Sequence, residues 1–144
     1  MAECKYESTV QSIPASSTQV YRVLSDLRNL DRVKDLIPQE KVQELEIGED
    51  CVRMKVNGLG QKIAIRIVDK TENDTIKFGA ENIPIQMNFW IQLKEVHPTD
   101  TRIKLTIKAD LPMMFKMMLD KKLQQGINQA AEMLARFPYN EWQS

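Results

Sequence analysis

Cysteine, histidine, glycine and net charge are all scarce in this chain, and each scarcity removes a class of function. The 144 residues include two cysteines, one histidine and five glycines. Cys4 and Cys51 lack the spacing of a metal-ligand cluster, so no metal site is expected, and two reduced thiols are the ordinary reading. The sharper alternative is a disulfide pinning the first strand to a central one. Twenty basic residues balance twenty acidic ones, giving a formal net charge of zero. That balance argues against bulk electrostatic capture of nucleic acid, which needs an excess of Lys and Arg. No apolar stretch reaches the length of a bilayer span, so stable membrane insertion is not expected. Met1-Ala2-Glu3-Cys4-Lys5-Tyr6 carries no basic stretch followed by an apolar run. A cytoplasmic protein without a leader is therefore expected. The Asn57-Gly58-Leu59-Gly60 segment lacks the Gly-Lys-Ser/Thr of a phosphate loop and joins two strands, so its glycines read as turn residues. No cofactor is expected.

What is present is an ordinary globular composition, 42% hydrophobic and 28% charged. No repeat, low-complexity segment or linker divides the chain, and residues 1–144 read as a single domain. A domain of this size buries roughly 68–70% of the surface its unfolded chain exposes, so it needs no staples.

Lys5 to Ser12 alternates weakly, with Tyr6, Ser8 and Val10 on one side, and reads as a half-buried strand ended by Pro14. Ser16, Ser17 and Thr18 offer N-cap hydroxyls. Val20, Tyr21, Val23, Leu24 and Leu27 follow at helical spacing, until Asp26 and Asn29 break the helix. A second short helix is expected from Leu30 to Leu36, closed by Pro38. From about Val42 to Leu111, turn signals separate six alternating segments. One face carries Val52, Met54, Val56, Ile63, Ile65, Ile67, Ile76, Phe78, Ala80, Met87, Phe89, Ile91, Leu93, Ile103, Leu105, Ile107 and Ala109. The other is dominated by Arg, Lys, Glu, Asn and Gln, as in an antiparallel sheet with one wet face. Trp90 falls on the wet face, which either a bulge or packing over lysine stems would explain.

A long helix follows from Pro112 to Phe137, roughly 39 Å at 1.5 Å per residue. Phe115, Leu119, Leu123, Ile127, Ala130, Leu134 and Phe137 form its apolar stripe. Gly126 sits in that stripe, where a missing side chain would permit close approach to the sheet. The order is thus strand, two short helices, six strands, long helix.

With this order, the chain resembles the Bet v 1-like superfamily, also called START-like, SRPBCC, or the polyketide cyclase/dehydrase/lipid-transport group. The resemblance lies in the first strand into Pro14, in Val20-Tyr21-Arg22-Val23-Leu24-Ser25-Asp26-Leu27-Arg28-Asn29-Leu30, and in Leu36-Ile37-Pro38. By element order it covers essentially the whole chain. It implies an α+β helix-grip fold, a seven-stranded antiparallel sheet wrapped around the long C-terminal helix. It also implies a cavity between sheet and helix of the kind that holds lipids, sterols, polyketides or quinones.

The candidate chemistry is sparse. Tyr6, Ser8 and Ser12 are the only polar side chains placed inward by parity, and each is more simply a satisfied core group than a catalyst. His97 reads as a solvated hairpin tip and Asp26 as a cap for the following turn. Met113, Met114, Met117 and Met118 occupy more of the helix circumference than the stripe needs. They are either pliable core filler or a deformable lid, and any exposed remainder is a contact site for ligand, membrane or partner. Lys116 falls inside the stripe on an ideal wheel, with Asp120 at its edge one turn later. Lys116 is either solvated beyond the sheet or poised to meet an acidic head group.

The expected ligand-contacting set is Met54, Ile65, Phe78, Met87, Phe89, Ile91, Leu105 and Ile107 from the sheet, with Met114, Lys116, Met118 and Leu123 from the helix. The leading expectation is binding or transport of a hydrophobic small molecule. The alternatives are a polyketide cyclase-like enzyme, and an interaction module with a filled core and a protein partner at the methionine cluster.

Overall fold

Alternation of apolar and polar residues drives the strand segments of the chain into one sheet. In a computed structural model, residues 2–32, 42–56, 62–83, 85–136 and Tyr139 are described. The strands are β1 (Ala2–Glu7), β2 (Gln11–Ile13), β3 (Val42–Ile47), β4 (Cys51–Val56), β5 (Lys62–Thr71), β6 (Thr75–Glu81), β7 (Met87–His97) and β8 (Asp100–Leu111). They form one antiparallel sheet in the order β1-β8-β7-β6-β5-β4-β3, with β2 also paired to β8. Two α-helices lie among the described residues, α1 (Ser17–Leu24) and the long α2 (Met113–Ala135). This is the helix-grip arrangement implied by the sequence.

The expected first strand is in fact two. β1 pairs Glu7 with Thr106, whereas β2 pairs Gln11 with Ile103, so the intervening stretch carries one residue more than its partner. A one-residue shift reverses the side-chain parity. Ile13 is therefore buried, while Ser12 and Val10, both expected inward, are exposed. Ser8 stays inside and closes the break, donating its N–H to the Leu105 carbonyl and accepting the Leu105 N–H on Oγ, both at 2.9 Å.

Ser16 is the N-cap of α1, in a capping box with Gln19. A 3-10 turn spans Leu27–Arg32, and most of the second short helix expected from Leu30 to Leu36, with Pro38, lies outside the described residues, as does the Asn57–Gly60 turn. Within the hairpin joining β5 to β6, Asn73 takes φ 60°, a conformation asparagine tolerates well.

Trp90 stays on the outer face, with Lys77 and Lys108 ammonium groups 5.4 and 5.8 Å from its ring centroid. Packing against lysines, rather than a bulge, accounts for it. No disulfide joins Cys4 to Cys51, so the disulfide alternative does not hold. Cys4 faces inward on β1, whereas Cys51 precedes the inward Val52 on β4, five strands away in the sheet order. Gly126 is exposed and a Cβ built there meets nothing within 4 Å, so it is not a close-approach glycine. No helix among the described residues is long and apolar enough to cross a membrane.

Candidate functional site

Burial of the inward face falls toward one end of strands β4 to β7, and at Ile107 on β8. At one end, Val52, Ile67, Ile76, Phe78, Ile91, Leu93, Ile103 and Leu105 are buried. There Val20, Val23 and Leu27, from α1 and the turn after it, join the same core cluster. Toward the other end, Met54, Ile63, Ile65, Ala80, Met87, Phe89 and Ile107 are only partly buried. These residues are neighbours in register: Met54 opposes Ile63, Ile65 opposes Ala80, and Phe89 lies between Phe78 and Ile107. The Phe78 and Phe89 rings meet at 5.5 Å, tilted by 53°. Ala109 and Leu111, beyond Ile107, are buried again; β8 and β1 are strands that α2 packs against.

The helix shows the same gradient. Ile127 and Ala131, in its second half, are buried. Leu119 and Leu123 are partly buried, and Met113, Met114, Phe115, Met117 and Met118 are exposed. Because a single residue, Pro112, separates the end of β8 from the start of α2, the exposed helix start and the partly open sheet positions share one end of the molecule. Phe115, expected in the core stripe, is exposed, whereas Ala131, outside the expected stripe, is buried. The described part of α2 ends at Ala135, and Phe137 lies outside the described residues.

Three hydrogen bonds tie α2 to the β1 edge. The Tyr6 hydroxyl donates to Asp120 Oδ1 at 2.6 Å. The Thr9 N–H donates to Asn128 Oδ1 at 3.0 Å, and Gln124 Nε2 donates to the Glu7 carbonyl at 2.8 Å. Burial, followed by the bond to Asp120 and the neighbouring Cys4, pushes the Tyr6 phenol well above its ordinary value. The bond joins a buried phenol to an exposed carboxylate, a polar anchor at the margin of the interior. Each partner sat within view in the sequence, Tyr6 by parity and Asp120 by its place on the helical wheel. Their pairing across 114 residues follows only from the docking of α2.

The remaining candidates are structural or separate. Asp26 accepts the Arg28 N–H at 3.0 Å and pairs with its guanidinium at 2.7 Å, which holds the Asp26 carboxyl below the usual range. His97 is exposed at a hairpin, its Nδ1 bonded to Thr99. Lys116 is partly buried and makes no ion pair with a described residue. Of the expected contact set, Met54, Ile65, Met87, Phe89, Ile107 and Leu123 lie where burial is incomplete. Phe78, Ile91 and Leu105 sit in the closed core, and Met114 and Met118 face outward. Among the described residues, no group of His, Cys, Asp and Glu could hold a metal ion.

No family model and no curated protein sequence matches the chain. Solved structures do. Norcoclaurine synthase from Thalictrum flavum, in complex with dopamine and hydroxybenzaldehyde, superposes with a TM-score of 0.77 at 12% identity, covering 99% of this chain and 90% of that one. The di-domain ARO/CYC protein BexL, from the BE-7585A biosynthetic pathway, gives 0.67 at 14% identity, over 94% of this chain and 45% of its own length. A protein of Deinococcus radiodurans gives 0.59 at 12% identity, over 92% and 95%. At such identities the likeness is one of backbone architecture, and it agrees with the element order and burial described above: this chain has the helix-grip, Bet v 1-like fold.

Proposed function

We propose that the protein binds or carries a hydrophobic small molecule of lipid, quinone or polyketide-like character between the sheet and α2. The observation that supports this reading is the one-ended loss of burial, on strands β4 to β7, at Ile107 of β8 and on α2, over side chains that are almost all apolar. A filled core would be dry at both ends. The proposed walls are Met54, Ile65, Met87, Phe89, Ile107 and Leu123, with Leu119 added from the structure. A ligand hiding about 300 Å² of apolar surface there gains roughly 7 kcal/mol before ordering costs.

Native mass spectrometry of the freshly purified chain tests the reading. A co-purifying apolar molecule that is lost in a Phe89→Asp variant supports it. Consistently empty protein that also fails to take up a fluorescent fatty acid overturns it. Lys116 contributes at the mouth by meeting an acidic head group. Lys116→Ala then weakens binding of a fatty acid but not of its methyl ester; equal loss for both removes that role.

The Tyr6–Asp120 pair favours a second reading, catalysis on a polyketide-like substrate. Its phenol and carboxylate could orient a reacting carbonyl or hydroxyl where the apolar interior meets α2. Turnover of a poly-β-keto substrate analogue that disappears in Tyr6→Phe would establish it, and binding without turnover would leave the carrier reading alone.

A further inference from the structure

The first two turns of α2 are exposed around most of their circumference. Met113, Met114, Phe115, Met117 and Met118 account for five of the nine large exposed hydrophobic residues among those described, with Met117 at 80% and Met114 at 73%. At 100° per residue these five sweep a continuous arc of roughly 200°, the side away from Leu119 and Leu123. A cluster of this kind on a water-facing helix marks a contact surface.

Charge identifies what the surface fits. Lys121 and Lys122 lie on the same arc, four residues after Met117 and Met118, and both are exposed. The acids near this end are directed elsewhere. Glu3 and Asp110 lie opposite each other on the outer face of the sheet, whereas α2 packs on the inner one. Glu81 is paired with Arg66 at 3.1 Å, and Asp120 accepts the Tyr6 hydroxyl. The cluster is therefore an apolar tip backed by cations. The axial offset between methionines and lysines is about 6 Å, at 1.5 Å per residue. With the apolar tip entering end-on at the boundary between headgroups and acyl chains, that offset sets the ammonium groups further out, toward the lipid phosphates.

We infer that the methionine-tipped start of α2 docks reversibly on an anionic lipid surface, dipping Met114, Met117 and Met118 into the interface and setting Lys121 and Lys122 against lipid phosphates. The inference stands on exposure and charge, independently of whether the interior holds a ligand. It requires no spanning helix.

Sedimentation with phosphatidylcholine vesicles, with and without phosphatidylserine, tests it on the full chain. Binding is expected to phosphatidylserine-containing vesicles and to weaken steeply with added salt. Lys121→Glu/Lys122→Glu should lower the affinity by roughly 30-fold or more, at about tenfold per 1.4 kcal/mol and about 1 kcal/mol for each lysine removed. Met117→Asp should abolish binding, while Met133→Asp, on the distant half of the helix, should not. The altered positions are exposed, so circular dichroism and melting temperature should stay at wild-type values, which separates lost docking from lost folding. Three results would overturn the proposal. One is equal sedimentation of wild type and Met117→Asp. Another is indifference to phosphatidylserine. The third is absence of vesicle binding, with or without a concentration-dependent dimer that Met117→Asp dissolves, which would assign the surface to a second copy of the chain.

Discussion

Leu105 and Ile107 lie two residues apart on one strand, face the same way, and carry side chains of equal size. Leu105 is fully buried, against Ile91 in register, whereas Ile107 is partly exposed beside Phe89 and Tyr6. Truncating each to alanine removes the same number of carbon atoms, so the difference in cost isolates the surroundings. At Leu105 the lost transfer energy is joined by a cavity that packed neighbours cannot refill, and the cost should be about 3–4 kcal/mol. At Ile107 part of the side chain already meets open space, which leaves little new cavity to form. The cost there should be roughly 1–1.5 kcal/mol. Urea unfolding followed by tryptophan fluorescence measures both, and near 3 kcal/mol the melting temperature of Leu105→Ala should fall by about 10 °C. Apolar-ligand affinity should show the reverse order, falling for Ile107→Ala and holding for Leu105→Ala under conditions where both are folded. Equal destabilisation at the two positions would mean that the Ile107 end is packed as densely as the Leu105 end, and the reasoning from one-ended burial would be wrong.

Three further outcomes are expected. Thr101 is completely buried and its Oγ1 donates to the Ala15 carbonyl at 2.7 Å, holding the approach to α1. Thr101→Val should cost about 1–3 kcal/mol in urea unfolding, because the carbonyl loses its partner. Burial raises both the Tyr6 and the Tyr139 phenol above the ordinary 10.0. The unfolded chain therefore gives up these protons first, and stability should be fully present below about pH 10 and decline above it. In Tyr6→Phe the slope of that decline, read from unfolding curves at alkaline pH, should shrink by one proton. Finally, Cys51 should react with a thiol reagent under native conditions well before the buried Cys4, and denaturant should abolish the difference.

Much of the fold was legible because period-2 alternation runs through most of β4 to β8, and because capping and turn residues sit where the elements change. Val52, Ile67, Ile76, Leu93, Ile103 and Leu105 are all buried on the face parity assigned them. Parity failed at Ser12 and Val10, since one unpaired residue between β1 and β2 inverts everything after it without leaving a turn signature. The helical stripe succeeded at Ile127 and failed at Phe115 for a related reason. Periodicity names the side of a helix that is apolar, but not how far along its length another element accompanies it.

The candidate site divides along the same line. Local sequence determined that the inward face is apolar, that α2 is amphipathic, and that methionines crowd its start, because these depend on residue type and spacing alone. Only the tertiary arrangement decided that Tyr6 meets Asp120, that Lys77 and Lys108 pack over Trp90, and that burial fades toward one end of the sheet. The first and last depend on where α2 comes to rest against strands distant in sequence, and the second on strand register, both set by the whole core rather than by any local segment.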